Sequence, residues 1–388
     1  MSDKIKAITI GSLYAKAGGP ALSLSLQMKG LIESGVDISC LMIPLSEKEG
    51  YGKMTDDKLP VHYTNPIKFS IGGWAYIPQI DKMLEDFSDV DIIHNQKIWS
   101  YMAHRTVKFA QKNKIPYIVS LRGTLYPEAL AAHKLKKQFA LWAYQKKDIE
   151  GAACIHATCV EELELFRKLG YKNPVAVLPN PYNMDAIDMS KPIQQADKFR
   201  VGYLGRLHPR KHVERLIYAF DSYRDELKDS ELLIIGAYDS DYEEFLHAEV
   251  KRLRLNNVKF TGFVTGEAKE NAVNSLSILV VPSDFENFGN IVPEALAHGV
   301  PVAASKGMPW EVLEQRNCGW WIYNDQDTIN KIILKAKQSG KEELEEMGKN
   351  GQKYVFEELN YRNLGLKLKL LYEWTLGRKG KPDFVYTV

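Results

Sequence analysis

The stretch 282–305, PSDFENFGNIVPEALAHGVPVAAS, decides the fold. Pro282 and Ser283 follow directly on the apolar run 278–281, whose length and composition predict a buried strand. Residues 284–290 read as a turn that contains Gly289. Ile291, Ala295 and Leu296 are then spaced for one face of a helix. Gly299 ends that helix, Pro301 lies two residues on, and 300–304 predicts the next strand. Strand, glycine-containing loop, helix and strand make a βαβ crossover. The first turn of such a helix presents N–H groups at the carboxyl end of a strand, a place suited to anionic or hydroxyl-rich ligands.

Two acids flank the turn. Glu286 lies in the loop and Glu294 eight residues later, inside the helix. Two carboxylates so placed can grip different parts of one elongated ligand, and carboxylates accept hydrogen bonds from vicinal hydroxyls. The spacing equally fits a helix with a dipole-compensating acid beside a solvated loop acid.

Outward from this stretch, the chain has 388 residues, enough for two domains. It is 45% hydrophobic and 26% charged, as for a globular protein. A formal charge of +2 gives no reason to expect nucleic acid as a partner. No apolar run is long enough to span a bilayer, and MSDKIKAITIG enters a strand with no signal-peptide pattern. The four scattered cysteines read as buried thiols in a reducing cytoplasm.

The first half alternates apolar runs with segments of helical length. The runs 5–10, 91–94, 117–120, 154–157 and 175–178 predict parallel strands. Gly18 and Gly19, before a helix running to about 34, let backbone approach a ligand or simply close a strand-to-helix loop. Pro20 suits the first helical position. Strand carboxyl ends carry His94, Asn95, Arg122, Gly123, His156, Thr158 and Asn180, where a parallel sheet places its ligands. Residues 127–150 predict one long helix with Leu135, Phe139 and Trp142 at i, i+4, i+7 among five lysines. That stripe either faces a core or lies on an anionic membrane face.

Residues 181–196 read as the interdomain linker. The run 199–204 opens a second α/β unit, where Gly205 ends a strand. Arg206 and Lys211 bracket a loop before a helix, and His208, Arg210 and His212 shape it. Cations at a helix start oppose its dipole, which favours a functional role for the pair. Asp239-Ser240-Asp241 spells D-x-D and reads as a surface loop or N-cap. The strand 258–261 leads into a Gly262-Phe263-Val264 turn, and the chain is helical from about 326.

The E-x7-E with Phe288-Gly289 between its acids, following VVPSDFE, together with the G-R…K of 205–211, resembles the retaining nucleotide-sugar-dependent glycosyltransferases of the GT-B group, family 4. The resemblance covers most of the chain and is strongest from about 200 to 310. It implies an α/β fold of two facing Rossmann-like domains, parallel sheets with helices on both faces. The acceptor domain would be 1–185 plus the C-terminal helix 361–388, and the donor domain 197–360. It implies that Glu286 contacts the donor hexose and Glu294 the ribose. Backbone N–H groups of Phe288, Gly289 and Asn290 would hold sugar and diphosphate. Arg206 and Lys211, beside Gly205, would neutralise that diphosphate, and Phe263 and Val264 would read the nucleobase. Gly18 and Gly19 would touch the donor phosphate or the acceptor. Asn287 stands where many members carry glycine, and Arg122, in SLRGTLYPEAL, where others place a sugar-contacting histidine. Asn95, Arg122 and His156 are the acceptor-side candidates.

The implied reaction moves a hexosyl unit from a UDP- or GDP-sugar to a glycan or lipid-linked acceptor, in polysaccharide or lipopolysaccharide synthesis. No metal or other cofactor is needed. The site would be cytoplasmic or at the inner membrane face, with residues 127–150 as a possible peripheral contact. A non-hydrolysing sugar-nucleotide epimerase and a silent nucleotide-sugar-binding subunit are the rival readings.

Overall fold

The computed structural model describes residues 4–44, 53–71, 74–131, 134–191, 193, 197–237 and 241–388. The chain forms two compact units, Met1–Asn183 with Asn360–Val388, and Met184–Leu359.

In the first unit the strands are β1 (Lys6–Ile10), β2 (Asp37–Met42), β3 (Val61–Tyr63), a hairpin of β4 (Phe69–Ile71) and β5 (Trp74–Tyr76), then β6 (Ile92–Asn95), β7 (Tyr117–Ser120), β8 (Cys154–Ala157) and β9 (Val175–Val177). In the second they are β10 (Arg200–Leu204), β11 (Glu231–Ile235), β12 (Val258–Gly262), β13 (Ile278–Val281), β14 (Val302–Ser305) and β15 (Gly319–Ile322). The chain ends on β16 (Val385–Tyr386), antiparallel to β9. The second sheet is parallel and runs β12-β11-β10-β13-β14-β15. Its order reverses between β10 and β13, and a crevice at the strand carboxyl ends follows there. The larger sheet of the first unit runs β16-β9-β8-β7-β6-β1-β2-β3 and reverses between β1 and β6. Strands such as β13 and β14 are buried along their whole length, as in a parallel sheet covered by helices on both faces.

The crossover read from 282–305 is present. Its helix is Ile291–Ala297 and β14 starts at Val302, two residues later than the pattern predicts. Gly299 takes φ 74° while its N–H bonds to the Leu296 carbonyl, which closes the helix. The helix after β1 is Gly19–Glu33, so Pro20 is its second residue, not its first.

The helix Tyr361–Thr375 packs on Gly19–Glu33 through a glycine crossing. A Cβ on Gly365 would meet the Gly30 carbonyl carbon at 2.3 Å, and one on Gly30 would meet the Tyr361 oxygen at 2.2 Å. Tyr361 donates to Glu33 at 2.9 Å, and the Tyr372 hydroxyl lies 2.9 Å from Nδ1 of His94. The span Gln326–Tyr354 is two helices joined at Gly340, whose φ of 76° breaks the spiral.

Residues 127–150 are not one regular helix. Pro127–Ala131 and Lys134–Ala140 are α-helical, a π-helical turn covers Leu141–Gln145, and Lys146–Glu150 is again α-helical. The buried side is Tyr144, Gln145, Asp148 and Ile149. The Leu135–Phe139–Trp142 stripe lies on the other side, exposed by 81, 66 and 80%. The core-facing reading of that stripe is therefore overturned: polar and aromatic neighbours, His104 on Asp148 at 2.7 Å and Trp74 on Tyr144, took the inner face.

Candidate functional site

The second unit gathers its candidates at the switch point. Gly205 leaves β10 with φ 141°, and Gly236 (φ 131°) and Gly262 (φ 68°) stand at the ends of β11 and β12. These backbones nearly touch: a Cβ on Gly236 would lie 2.0 Å from the Gly205 oxygen, and the Gly236 N–H bonds to the Gly262 carbonyl at 3.1 Å. Side chains at these positions would fill the rim. Beyond Gly205 the Tyr203 hydroxyl donates to the Arg206 carbonyl at 2.9 Å, and a 3-10 turn covers Pro209–Lys211.

The result is a cavity of about 250 Å³ lined by Arg206, His208, Arg210 and Lys211. Lys211 extends to Glu286 and forms an ion pair with it. Burial, with Arg210 and Arg206 nearby, pushes the Lys211 ammonium down to about 8. The Glu286 carboxylate in contact acts in the opposite direction, so the ammonium is charged at neutral pH.

The loops after β10 and β13 are tied together. The Asp284 N–H bonds to the Arg210 carbonyl at 3.0 Å, and Glu286 N–H to the Gly307 carbonyl at 3.0 Å. His212, at φ 48°, bridges Glu214 (2.9 Å) and Asp284 (2.8 Å). Gly307 passes so close that a Cβ would lie 2.0 Å from the Asp284 oxygen. Trp310 donates its indole N–H to the Phe288 carbonyl at 2.5 Å and packs on the Phe288 ring. Phe288 is thus held by both its ring and its carbonyl oxygen. Gly289, at φ 79°, follows, then Asn290 at the N-cap position, without a side-chain capping bond, leads into the helix. Asn287 is half-buried in the same loop.

Glu294 does not line the basic cavity. It pairs at 2.5 Å with Lys269, on the helix Gly266–Asn274 that follows β12. Phe263, at the end of β12, is 80% exposed, and Val264 is half-buried. Arg206, Lys211 and Glu286 are therefore brought together, with Glu294, Phe263 and Val264 toward the β12 side. Lys269, Asp284, Trp310, Gly236 and Gly307 escaped the sequence reading. Only Gly236, a glycine ending an apolar run as Gly205 does, carried a signal. Asp239 and Ser240 of the D-x-D lie outside the described residues, and Asp241 begins the helix Asp241–Arg252.

In the first unit, Gly18 takes φ 69° with open space where a Cβ would stand, and Gly19 starts the helix. That helix turns Ser23 and Gln27 toward Arg122. The guanidinium donates to Gln96 (2.5 and 3.1 Å) and Gln27 (3.2 Å), with Ser23 and Asn180 at 3.4 Å. Burial lowers Arg122 to about 10, so it remains a cation, and amide and hydroxyl oxygens surround it. Asn95 and His156 are 1% exposed. His156 Nδ1 meets Ser120 at 2.8 Å and Nε2 meets the Leu178 carbonyl at 2.9 Å. Ser120 also meets His94 at 2.8 Å. Burial first, then Arg122, lowers His156 to about 4. Burial, His156 and Arg122 also take His94 well below its ordinary value.

Among the described residues no group of three His, Cys, Asp or Glu side chains is placed to hold a metal ion. No described helix is long and apolar enough to cross a membrane. All four cysteines are buried and unpaired by disulfide.

Two Rossmann-type units, each with its polar residues at the carboxyl rim of a parallel sheet, define the GT-B class. Models of known families match both units: "Glycosyl transferases group 1" over residues 185–354 and "Glycosyl transferase 4-like domain" over 18–181. The chain belongs to the group 1 glycosyltransferases. It is 28% identical over 191 residues to an uncharacterized glycosyltransferase, MJ1607, of Methanocaldococcus jannaschii, covering 48% of each chain. It is 40% identical over 108 residues to a GDP-mannose-dependent alpha-mannosyltransferase of Mycolicibacterium smegmatis, covering 27% of this chain and 24% of that one. The matches thus span half or less of these relatives. The fold is shared with Anabaena Alr3699/HepE, solved in complex with UDP: TM-score 0.73, 18% identity, 95% of this chain and 100% of that chain.

Proposed function

We propose that the protein transfers a hexosyl unit from a nucleoside diphosphate sugar to a hydroxyl of a glycan or lipid-linked acceptor, with retention at the anomeric carbon. The observation that carries this is the cavity lined by four basic residues at the β10/β13 switch point, with Glu286 resting on Lys211. The GDP-mannose-dependent relative and the UDP complex of a structural neighbour support a UDP- or GDP-sugar.

The hard step is departure of the nucleoside diphosphate while positive charge develops on the sugar. Arg206 and Lys211 are fixed cations where the leaving oxygens would gain charge. Each preorganised donor of this kind is worth about 3 kcal/mol. In this reading the backbone of 288–290 adds further donors. Glu286, held by Lys211, takes the sugar hydroxyls, and Glu294, held by Lys269, the ribose. Phe263 offers an exposed ring to the base. The incoming hydroxyl attacks the face from which the diphosphate leaves, and the leaving phosphate takes its proton. Residues 197–360 form the donor domain in this assignment, and 1–185 with 361–388 the acceptor domain. Arg122 offers charge on the acceptor side, and Asn95 and His156 are buried polar residues toward the carboxyl ends of β6 and β8 of the same sheet. The reaction is placed in cell-surface polysaccharide or lipopolysaccharide synthesis, on the cytoplasmic side.

A thermal-shift screen of UDP-, GDP-, ADP- and CMP-sugars tests the donor. A ligand at a hundred times its Kd stabilises by about 2.7 kcal/mol. Turnover of the selected donor is then measured with and without a lipid-extract acceptor, in EDTA. Acceptor-dependent nucleotide release is expected. Release with an altered free sugar and no acceptor would make the protein an epimerase, and binding without turnover a silent subunit.

A further inference from the structure

We propose that the second unit carries a subsite for the carboxylate of an acidic sugar at the ends of β14 and β15, with the Lys306 ammonium as its cation. Lys306 directly follows β14 and is exposed. Its ammonium stands 4.0 Å from the centre of the Tyr323 ring and 5.2 Å from that of Trp321. The Trp321 indole is fixed in turn, donating to the Met308 carbonyl at 2.8 Å, while Tyr323 keeps 65% of its surface in water. The Lys306 N–H bonds to the Ile322 carbonyl at 2.7 Å, so backbone and side chain of the lysine are both tied to β15. Two ring faces attract the ammonium and restrain an otherwise flexible stem, but they do not neutralise it. Among the described residues no acid pairs with it. A restrained, unpaired cation loses little freedom when an anion binds. Asp284, the acid on the neighbouring strand end, is already engaged: Asn324 donates to one oxygen at 3.2 Å and His212 meets the other at 2.8 Å.

Strand order decides which part of a ligand reaches Lys306. The sheet runs β12-β11-β10-β13-β14-β15. Glu294 and Phe263 stand toward the β12 side, Arg206 and Lys211 follow β10, and Glu286 follows β13. In the transfer reading, on which this placement rests, those positions take nucleoside, diphosphate and hexose in that order. The ends of β14 and β15 come next, within two strand spacings, about 10 Å, of β13. The Gly307 carbonyl, one residue past Lys306, accepts from the Glu286 N–H at 3.0 Å, which holds the lysine to the loop assigned to the hexose. A group that reaches Lys306 therefore lies on the sugar side, away from the nucleotide. It belongs either to the transferred sugar or to the acceptor. The diphosphate has its own cations, and a single ammonium suits a singly charged carboxylate.

Titration calorimetry on the full-length chain compares an acidic with a neutral probe in two pairs. The first pair differs in the donor sugar: UDP-glucuronate and UDP-glucose, or GDP-mannuronate and GDP-mannose where the screen selects guanine. The second pair, trigalacturonate and maltotriose, differs on the acceptor side and is titrated with the nucleoside diphosphate present. In one pair the acidic member should bind at least about tenfold more tightly, the worth of one charge-assisted hydrogen bond. The first pair would assign the carboxylate to the donor, the second to the acceptor. K306Q should lose the preference, K306R should keep it, and Y323L, which removes one ring from under the ammonium, should keep only part of it. Equal Kd values within both pairs, binding by no probe, or a preference that survives in K306Q overturns the proposal. A cation–π stack that only stabilises the surface gives the first of these results, with a lower melting temperature in K306Q. A chain that binds no nucleotide sugar yet prefers trigalacturonate through Lys306 refutes the transfer reading and leaves the subsite standing.

Discussion

Replacing Lys211 by alanine separates the two jobs that its ammonium performs. In the unliganded protein its effects oppose one another. The variant loses the pair with Glu286, a carboxylate 19% exposed. It also removes the repulsion from Arg206 and Arg210 that helps push the ammonium down to about 8. The net change in stability should stay within about 1 kcal/mol, the usual range for a partly exposed pair. With donor bound there is no such cancellation, because charge grows on the leaving diphosphate and a fixed cation is missing. One preorganised donor is worth about 3–4 kcal/mol, so kcat should fall by about 10²–10³-fold. The assay is steady-state release of nucleoside diphosphate from the donor that the thermal-shift screen selects. It is run on K211A, E286A and K211A/E286A. A lysine that only positions Glu286 would leave the double variant no slower than E286A. A lysine acting on the diphosphate puts it well below. In the wild type, kcat/KM should fall as pH rises through about 8, where free Lys211 loses its proton, and K211R should move that limb upward. A K211A enzyme within about threefold of wild-type kcat/KM would refute the assignment of this cavity to the diphosphate.

Further outcomes follow from other contacts. E294A frees Lys269 at the far side of the site and should raise KM by about tenfold or more with a smaller change in kcat, whereas R206A should lower kcat; equal effects on both would remove the division of labour. G365A should cost about 1–3 kcal/mol, read as a lower melting temperature, because its Cβ would meet backbone of Gly30 at 2.3 Å. An exposed helix position would instead gain from the same change. Acid should destabilise the first unit. His156 is held near 4 when folded against about 6.5 unfolded, so the unfolded chain takes the proton first. Stability is complete above about 6.5 and falls by up to about 3 kcal/mol as pH drops toward 4, with His94 adding in the same direction. Urea titrations at pH 7.5 and 4.5 measure this: the wild-type midpoint should fall in acid and H156Q should lose part of that fall, and equal wild-type midpoints at the two pH values would contradict it.

Local pattern determined the parts of this protein that local physics controls. The apolar runs became strands within a residue or two of their limits. Gly299 closed the crossover helix because only a residue free to take positive φ ends it that way. The G-R…K and E-x7-E spacings carried the family, since each lies within one loop and helix. What the tertiary structure alone decided are the meetings of residues far apart in the chain. Strand order set β10 beside β13, and so Lys211 beside Glu286 and Asp284 beside His212. No spacing announced that Lys269 would hold Glu294, that Trp310 would pin Phe288, or that amide oxygens would surround Arg122. Periodicity found the Leu135–Phe139–Trp142 stripe but not its direction. A helix shows which residues share a side, and only its packing partners determine which side is covered.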